Sequence, residues 1–220
     1  MLNKEIISAS IPSLHLNDPV SQALDLMADF HVTHLPVVAE DKLVGLVSED
    51  TLLNVSDDAM LLSHLQGSFS TKTAHAEAFL FEAVQIVNES SLTVIPVITG
   101  ESEYIGAIAA TDLLKHLGRV CGAGDAGGII VLEMEKLSFA FSEISKLVET
   151  NDAQITQLNT YSDASSGNFY IALRINKLEI SDIIATFQRY EYQVKYYFGE
   201  ELYENELRSN YDHLMNYLNI

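Results

Sequence analysis

The chain has 220 residues, 48% of them hydrophobic and 20% charged, which is the composition of a folded chain long enough for one large domain or two smaller ones. Five Lys/Arg stand against sixteen Asp/Glu in residues 1–120 and seven against fifteen in 121–220, so the formal net charge of −19 is spread over both halves. Such a surface disfavours nucleic acid and anionic membranes, which are held by lysine and arginine, and fits either simple solubility or a cationic partner.

The chain opens with Met1–Ile11, which holds Lys4 and Glu5 and has no apolar signal-peptide core. No later run reaches the ~18 apolar residues of a membrane span. An internal repeat follows, offset by about 60 residues. VSQALDLM (20–27), THLPVV (33–38) and LVGLVS (43–48) return as LFEAVQIV (80–87), TVIPVI (93–98) and YIGAIA (104–109). Ala23 maps to Ala83, Pro36 to Pro96 and Gly45 to Gly106, with one residue added in the second hairpin. In each copy an amphipathic helix places Leu24, Met27 and Ala28, or Val84 and Val87, on one face. A short apolar strand comes next, Leu35–Val38 or Ile95–Ile98, with proline near its start, where a missing N–H is tolerated. After a polar turn comes a second strand, Leu43–Val47 or Tyr104–Ala109, and then a second helix near Asp50–Asn54 or Thr111–Leu117. One such unit leaves an apolar sheet face bare, so two are expected to pack together.

This order of helix, (L/I)-P-V-(V/I) strand, hairpin, G-x-(V/I) strand and helix resembles the CBS domain, and the two copies resemble a CBS pair. The resemblance implies two βαββα-type repeats, about 1–60 and 61–119, with clefts between them that bind adenosyl ligands and regulate attached domains. Ligand-binding repeats of that family usually carry G-x-x-(S/T)-x-x-D, in which the hydroxyl serves phosphate and the carboxylate accepts from the ribose hydroxyls. That division of labour suits the donor and acceptor chemistry of the two side chains. Each repeat here keeps half of it. Ser48 matches in the first, but Thr51 stands where the Asp belongs, and Asp50 lies one place early, about 100° around a helix. Asp112 matches in the second, next to Thr111, but Ala109 takes the hydroxyl position. The candidate ligand residues are therefore Ser48, Thr51, Pro36, Pro96, Thr111 and Asp112, for an AMP, ADP or ATP-type ligand. A missing charge-assisted hydrogen bond costs about 1.5–3 kcal/mol, so binding is expected to be weak. Asp112 also has a structural role available, since an acid in a helix's first turn favours the dipole. A dimerisation scaffold without ligand, or a different ligand, remains open.

Residues 118–128, GRVCGAGDAGG, mark a composition shift, and residues 120–127 are assigned as a linker. The G-x-G-x-x-G of Gly122, Gly124 and Gly127 follows a helical pattern and opens a strand, the reverse of a dinucleotide-binding site. His31 and His34 have helical metal spacing, but no further ligand lies near them in sequence. Cys121 is the only cysteine, so an intrachain disulfide is excluded and a reducing, cytoplasmic setting fits.

Ile129–Met134 reads as a buried strand. A helix is expected through Leu137, Ala140, Phe141, Ile144, Leu147 and Val148. Gln154–Tyr161 and the alternating Phe169–Ile175 are strands, joined by the turn residues 162–168. A second helix aligns Ile180, Ile183, Ile184 and Phe187, and Gln193–Phe198 closes the set. The order βαββαβ predicts a ferredoxin-like sandwich over 128–199, and beside a CBS pair it resembles an ACT domain. ACT domains often bind amino acids at a Pro-Gly turn, here replaced by Glu135–Ser138, so an association role is expected. Residues 200–220 read as a terminal acidic helix striped by Tyr203, Leu207, Tyr211, Leu214 and Leu218. No nucleophile–base pair or metal cluster is visible. The expectation is an α/β (α+β) chain without enzymatic activity or resident cofactor, associating as a homodimer.

Overall fold

The computed structural model describes residues 1–200 and divides the chain into two compact units, the first Met1–Val120 and the second beginning at Cys121. The terminal stripe from Tyr203 to Leu218 lies outside the described residues.

In the first unit each repeat builds a three-stranded sheet. The first consists of β1 (Leu14–His15), α1 (Val20–Phe30), β2 (His34–Ala39), β3 (Lys42–Ser48) and α2 (Glu49–Leu53). The second consists of β4 (Ala74–His75), α3 (Phe81–Ser90), β5 (Val94–Ile98), β6 (Tyr104–Ala109) and α4 (Ala110–Val120). The registers repeat as well. β1 pairs parallel to β2 through Leu14 and Val37, and β4 pairs parallel to β5 through Ala74 and Val97. Each hairpin carries a bulge at the same place, after Val37 and after Val97. The two-residue opening strands escape a hydropathy reading because two residues show no alternation. The first helices of both repeats end on non-glycine residues in the left-handed region, His31 (φ 53°) and Ser91 (φ 51°).

The two repeats complete each other. The N-terminal residues cross to the second repeat, where Asn3 and Lys4 donate backbone N–H bonds to Ala78 and Ala76 and Ser8 to Ala107. Ile6 enters the core formed by Leu80, Ala83, Ile95, Val97 and Ile108. In return Phe69 enters the first repeat's core beside Met27, Leu35 and Val47, and Ser70 exchanges backbone bonds with Leu46. The repeated glycine lies under each crossing. A β-carbon on Gly45 would meet that of Phe69 at 2.7 Å, and one on Gly106 would meet Ile7 at 2.5 Å. Gly106 also has φ 145°, a conformation that side chains rarely adopt.

In the second unit β7 (Ile129–Met134), α5 (Phe141–Glu149), β8 (Ile155–Ser162), β9 (Phe169–Ile175), α6 (Ser181–Arg189) and β10 (Gln193–Phe198) follow in order. They form one antiparallel sheet, β10-β7-β9-β8. Ile130, Leu132, Ile171 and Leu173 pack against Ile144, Leu147, Val148, Ile183 and Phe187, which puts both helices on one face. The glycine-rich residues before β7 are packed within this unit. Arg174 donates to the Asp125 carbonyl at 2.7 Å, and a β-carbon on Gly127 (φ 133°) would strike the Ile175 carbonyl. One expectation needs correcting. Of the expected helical stripe only Ile144, Leu147 and Val148 are buried: Leu137 is 98% exposed in a 3-10 turn (Lys136–Ser138), Ala140 precedes α5, and Phe141, its first residue, is exposed. Phe139, in extended backbone, packs on the core instead, its ring edge-on to Phe169 at 5.9 Å.

The crossings make the glycines sensitive. Gly106→Ala is expected to destabilise the first unit by about 1–3 kcal/mol, the range of overpacking with backbone strain, as measured by urea unfolding. An unchanged midpoint would contradict the tight crossing.

Candidate functional site

The N-terminal crossing brings Ser8 to the start of α4, where the helix dipole favours negative charge. At the second repeat the site is composite. The Ser8 hydroxyl accepts from the Ala109 N–H at 2.9 Å and donates to the Asp112 carboxylate at 2.7 Å. Lys115 donates to the other Asp112 oxygen at 2.8 Å. These two donors, Lys115 first and Ser8 second, hold the Asp112 carboxyl below its ordinary range. Ser8 is 8% exposed, Asp112 is partly exposed and Thr111 faces solvent. A hydroxyl is therefore present beside Asp112 even though Ala109 lacks one; it arrives from a segment 101 residues earlier.

The first repeat is arranged differently. The Ser48 hydroxyl caps α2, accepting from the Thr51 N–H at 3.2 Å and pairing with the Thr51 hydroxyl at 2.9 Å. Ser70 crosses here as Ser8 does there, but its hydroxyl accepts from the Lys72 N–H at 3.3 Å rather than joining Ser48. Ser48 and Thr51 are thus brought together, and no carboxylate takes part in their pairing. Asp50, in the first turn of α2, faces solvent. Pro36 and Pro96 are buried at matching places in β2 and β5, opposite Leu46 and Ala107.

Ser8 is the functional candidate that sequence reasoning missed. The signal lay outside the aligned blocks: Ile7-Ser8 and Phe69-Ser70 are both an apolar residue followed by serine, ahead of each repeat.

In the second unit the Glu135–Ser138 turn borders a cavity of about 410 Å³, lined by Glu133, Glu135, Glu143, Tyr190, Glu191 and Tyr192 among others. Burial, and after it the Glu143 carboxylate, raises the Tyr192 hydroxyl above its ordinary pKa.

Paired α/β repeats that exchange their leading segments, with polar groups gathered where strand meets helix, define a tandem repeat module with two related strand-to-helix junctions. Residues 4–58 and 70–119 match the CBS domain model, and the chain belongs to the CBS domain family, with a CBS pair over residues 4–119. It is 26% identical over 111 residues to an inosine-5'-monophosphate dehydrogenase of Thermoplasma acidophilum, covering 50% of this chain and 22% of that protein. A second such dehydrogenase, from Methanocaldococcus jannaschii, is 23% identical over 146 residues, covering 66% of this chain and 29% of that one. This chain thus spans under a third of the length of those curated relatives. Among solved structures, a CBS domain pair/ACT domain protein of Thermotoga maritima has the same fold at TM-score 0.50 and 21% identity, covering 55% of this chain and 98% of that one. No helix among the described residues is long and apolar enough to cross a membrane.

The composite site makes Ser8 structural as well as polar. Ser8→Ala should destabilise the first unit by about 1–2 kcal/mol, because the Ala109 N–H is left unpaired, and should move the Asp112 carboxyl up toward its ordinary range. Urea unfolding and carboxyl NMR titration read the two effects. An Asp112 titration that does not move would contradict the Ser8 bond.

Proposed function

We propose that the chain is a non-enzymatic, cytoplasmic regulatory protein. Its CBS pair (1–119) senses an adenosyl ligand of AMP, ADP or ATP type, and its second unit (128–199) is a ferredoxin-like, ACT-like association domain that supports a homodimer. The observation that carries the ligand reading is the Ser8–Asp112 pair at the start of the eleven-residue α4. A carboxylate held ionised can accept from two vicinal ribose hydroxyls, and Ser8 fixes its orientation by donating to one of its oxygens. The N-terminal N–H groups of α4 favour a phosphate, while the net charge of −19 opposes one with several charges. AMP therefore suits the second cleft better than ATP. The first repeat offers the ribose no carboxylate, because Thr51 stands at that position and is paired with Ser48. An amino-acid ligand in the second unit is disfavoured, since the four glutamates lining its cavity would repel the carboxylate.

A scaffold without ligand is the second reading. It is favoured by one observation: Ser8, Lys115, Ser48 and Thr51 are all already bonded within the chain.

Calorimetric titration with AMP separates the two. Wild type is expected to bind with Kd on the order of 0.1 mM. Asp112→Ala should weaken this by roughly ten-fold or more, and Thr51→Asp should tighten the first cleft by a similar factor, the worth of one charge-assisted bond at about 1.5–3 kcal/mol. Heat from neither wild type nor Thr51→Asp would favour the scaffold. Light scattering on the same sample should give twice the chain mass at micromolar concentration; a monomer would contradict the dimer.

A further inference from the structure

The residue before Leu35 differs between the repeats: His34 in the first, Val94 in the second. His34 and Val94 open β2 and β5, which meet where the two repeats face each other. The His34 ring faces across that boundary. Its Nδ1 lies 3.3 Å from the Thr93 backbone nitrogen, which donates to it. The same atom is 3.1 Å from the Thr93 hydroxyl and 3.0 Å from the Thr33 hydroxyl. A backbone N–H cannot turn to become an acceptor, so Nδ1 must be bare and the neutral ring must carry its proton on Nε2. Thr33 adds a direct link, its N–H donating to the Thr93 hydroxyl at 2.9 Å. The carbonyls of these two threonines bind the helices that frame the clefts: Glu49 donates to Thr33 at 2.8 Å and Ala110 to Thr93 at 2.9 Å.

We propose that His34 is a proton-operated tie between the two repeats: the neutral ring accepts from the Thr93 N–H across the boundary, and a proton on Nδ1 turns that acceptor into a donor, so that this bond is lost and the Thr93 backbone is freed from the ring. Because the same two threonines hold the first turns of α2 and α4, release loosens both clefts together. The charges near the ring come from the first turn of α2, with Asp50 and its neighbour Glu49. The other facing groups are Ser48 on β3, Thr93 and Val94 on β5, and Ala109 and Ala110 at the β6–α4 junction. None of these is charged.

Burial favours the neutral ring and holds it below the ordinary histidine range, while Asp50 pulls less strongly the other way. In the native state the ring thus resists a proton that the unfolded chain accepts. The stability it contributes is complete above the unfolded value of about 6.5 and is lost as pH falls from there toward the native value.

The test compares the full chain with His34→Asn, whose amide oxygen can still accept from Thr93 but does not titrate. Between pH 7.5 and pH 5.0 the wild-type transition of the first unit should fall by roughly 3–5 °C more than that of the variant, the shift of about a tenfold change in the folding equilibrium. Parallel slopes would overturn the proposal. Imidazole 15N spectra of the wild type give a reading that needs no variant. The proposal expects a bare Nδ1 at pH 7 that protonates only below the ordinary histidine range. A protonated Nδ1 at pH 7, or an ordinary titration, would overturn it.

Discussion

Neither repeat of the first unit can finish its own core. Ile6 fills the second repeat and Phe69 the first, and each reaches its place by a backbone crossing over a glycine, Gly106 or Gly45. The constraint is steric at the crossing and hydrophobic beyond it. A β-carbon under either crossing would lie within 2.7 Å of a side chain that is itself anchored in place. The crossings explain why the unit reads as one compact body although its sequence is two copies of one pattern.

The same crossings set the difference between the two repeats. Ser8 turns its hydroxyl into the start of α4 and joins Asp112, an acid kept ionised by Lys115 and by Ser8 itself. Ser70 turns away, and Ser48 and Thr51 satisfy one another instead. Matching strand registers therefore carry two chemistries. One junction holds a carboxylate braced by a hydroxyl, the other two hydroxyls bonded to each other. The His34 ring, without a counterpart at Val94, extends the asymmetry to the boundary between the repeats.

Much of the fold was legible because its signals are local. The offset of about 60 residues, the apolar strands and the alternation of Phe169–Ile175 each sit within a few residues of sequence. What was not legible depends on distance. Ser8 and Asp112 are 104 residues apart, and no spacing rule links them. Leu137 was misplaced because period alone cannot tell that Phe139 has a better partner in Phe169. The opening strands β1 and β4 are two residues long and exist through pairing with β2 and β5 rather than through propensity. The loss of a hydroxyl at Ala109 looks complete in the sequence only because the serine that stands beside it belongs to the other repeat's leader.

The regulatory reading stands on the cleft at the start of α4, and amide shift mapping of the full chain during an AMP titration tests it most directly. The account expects movement of the Ser8, Ala109, Thr111 and Asp112 amides, with Glu133–Ser138 and Tyr190–Gln193 in the second unit unmoved. Shifts confined to the second unit, or none at millimolar AMP, would contradict it.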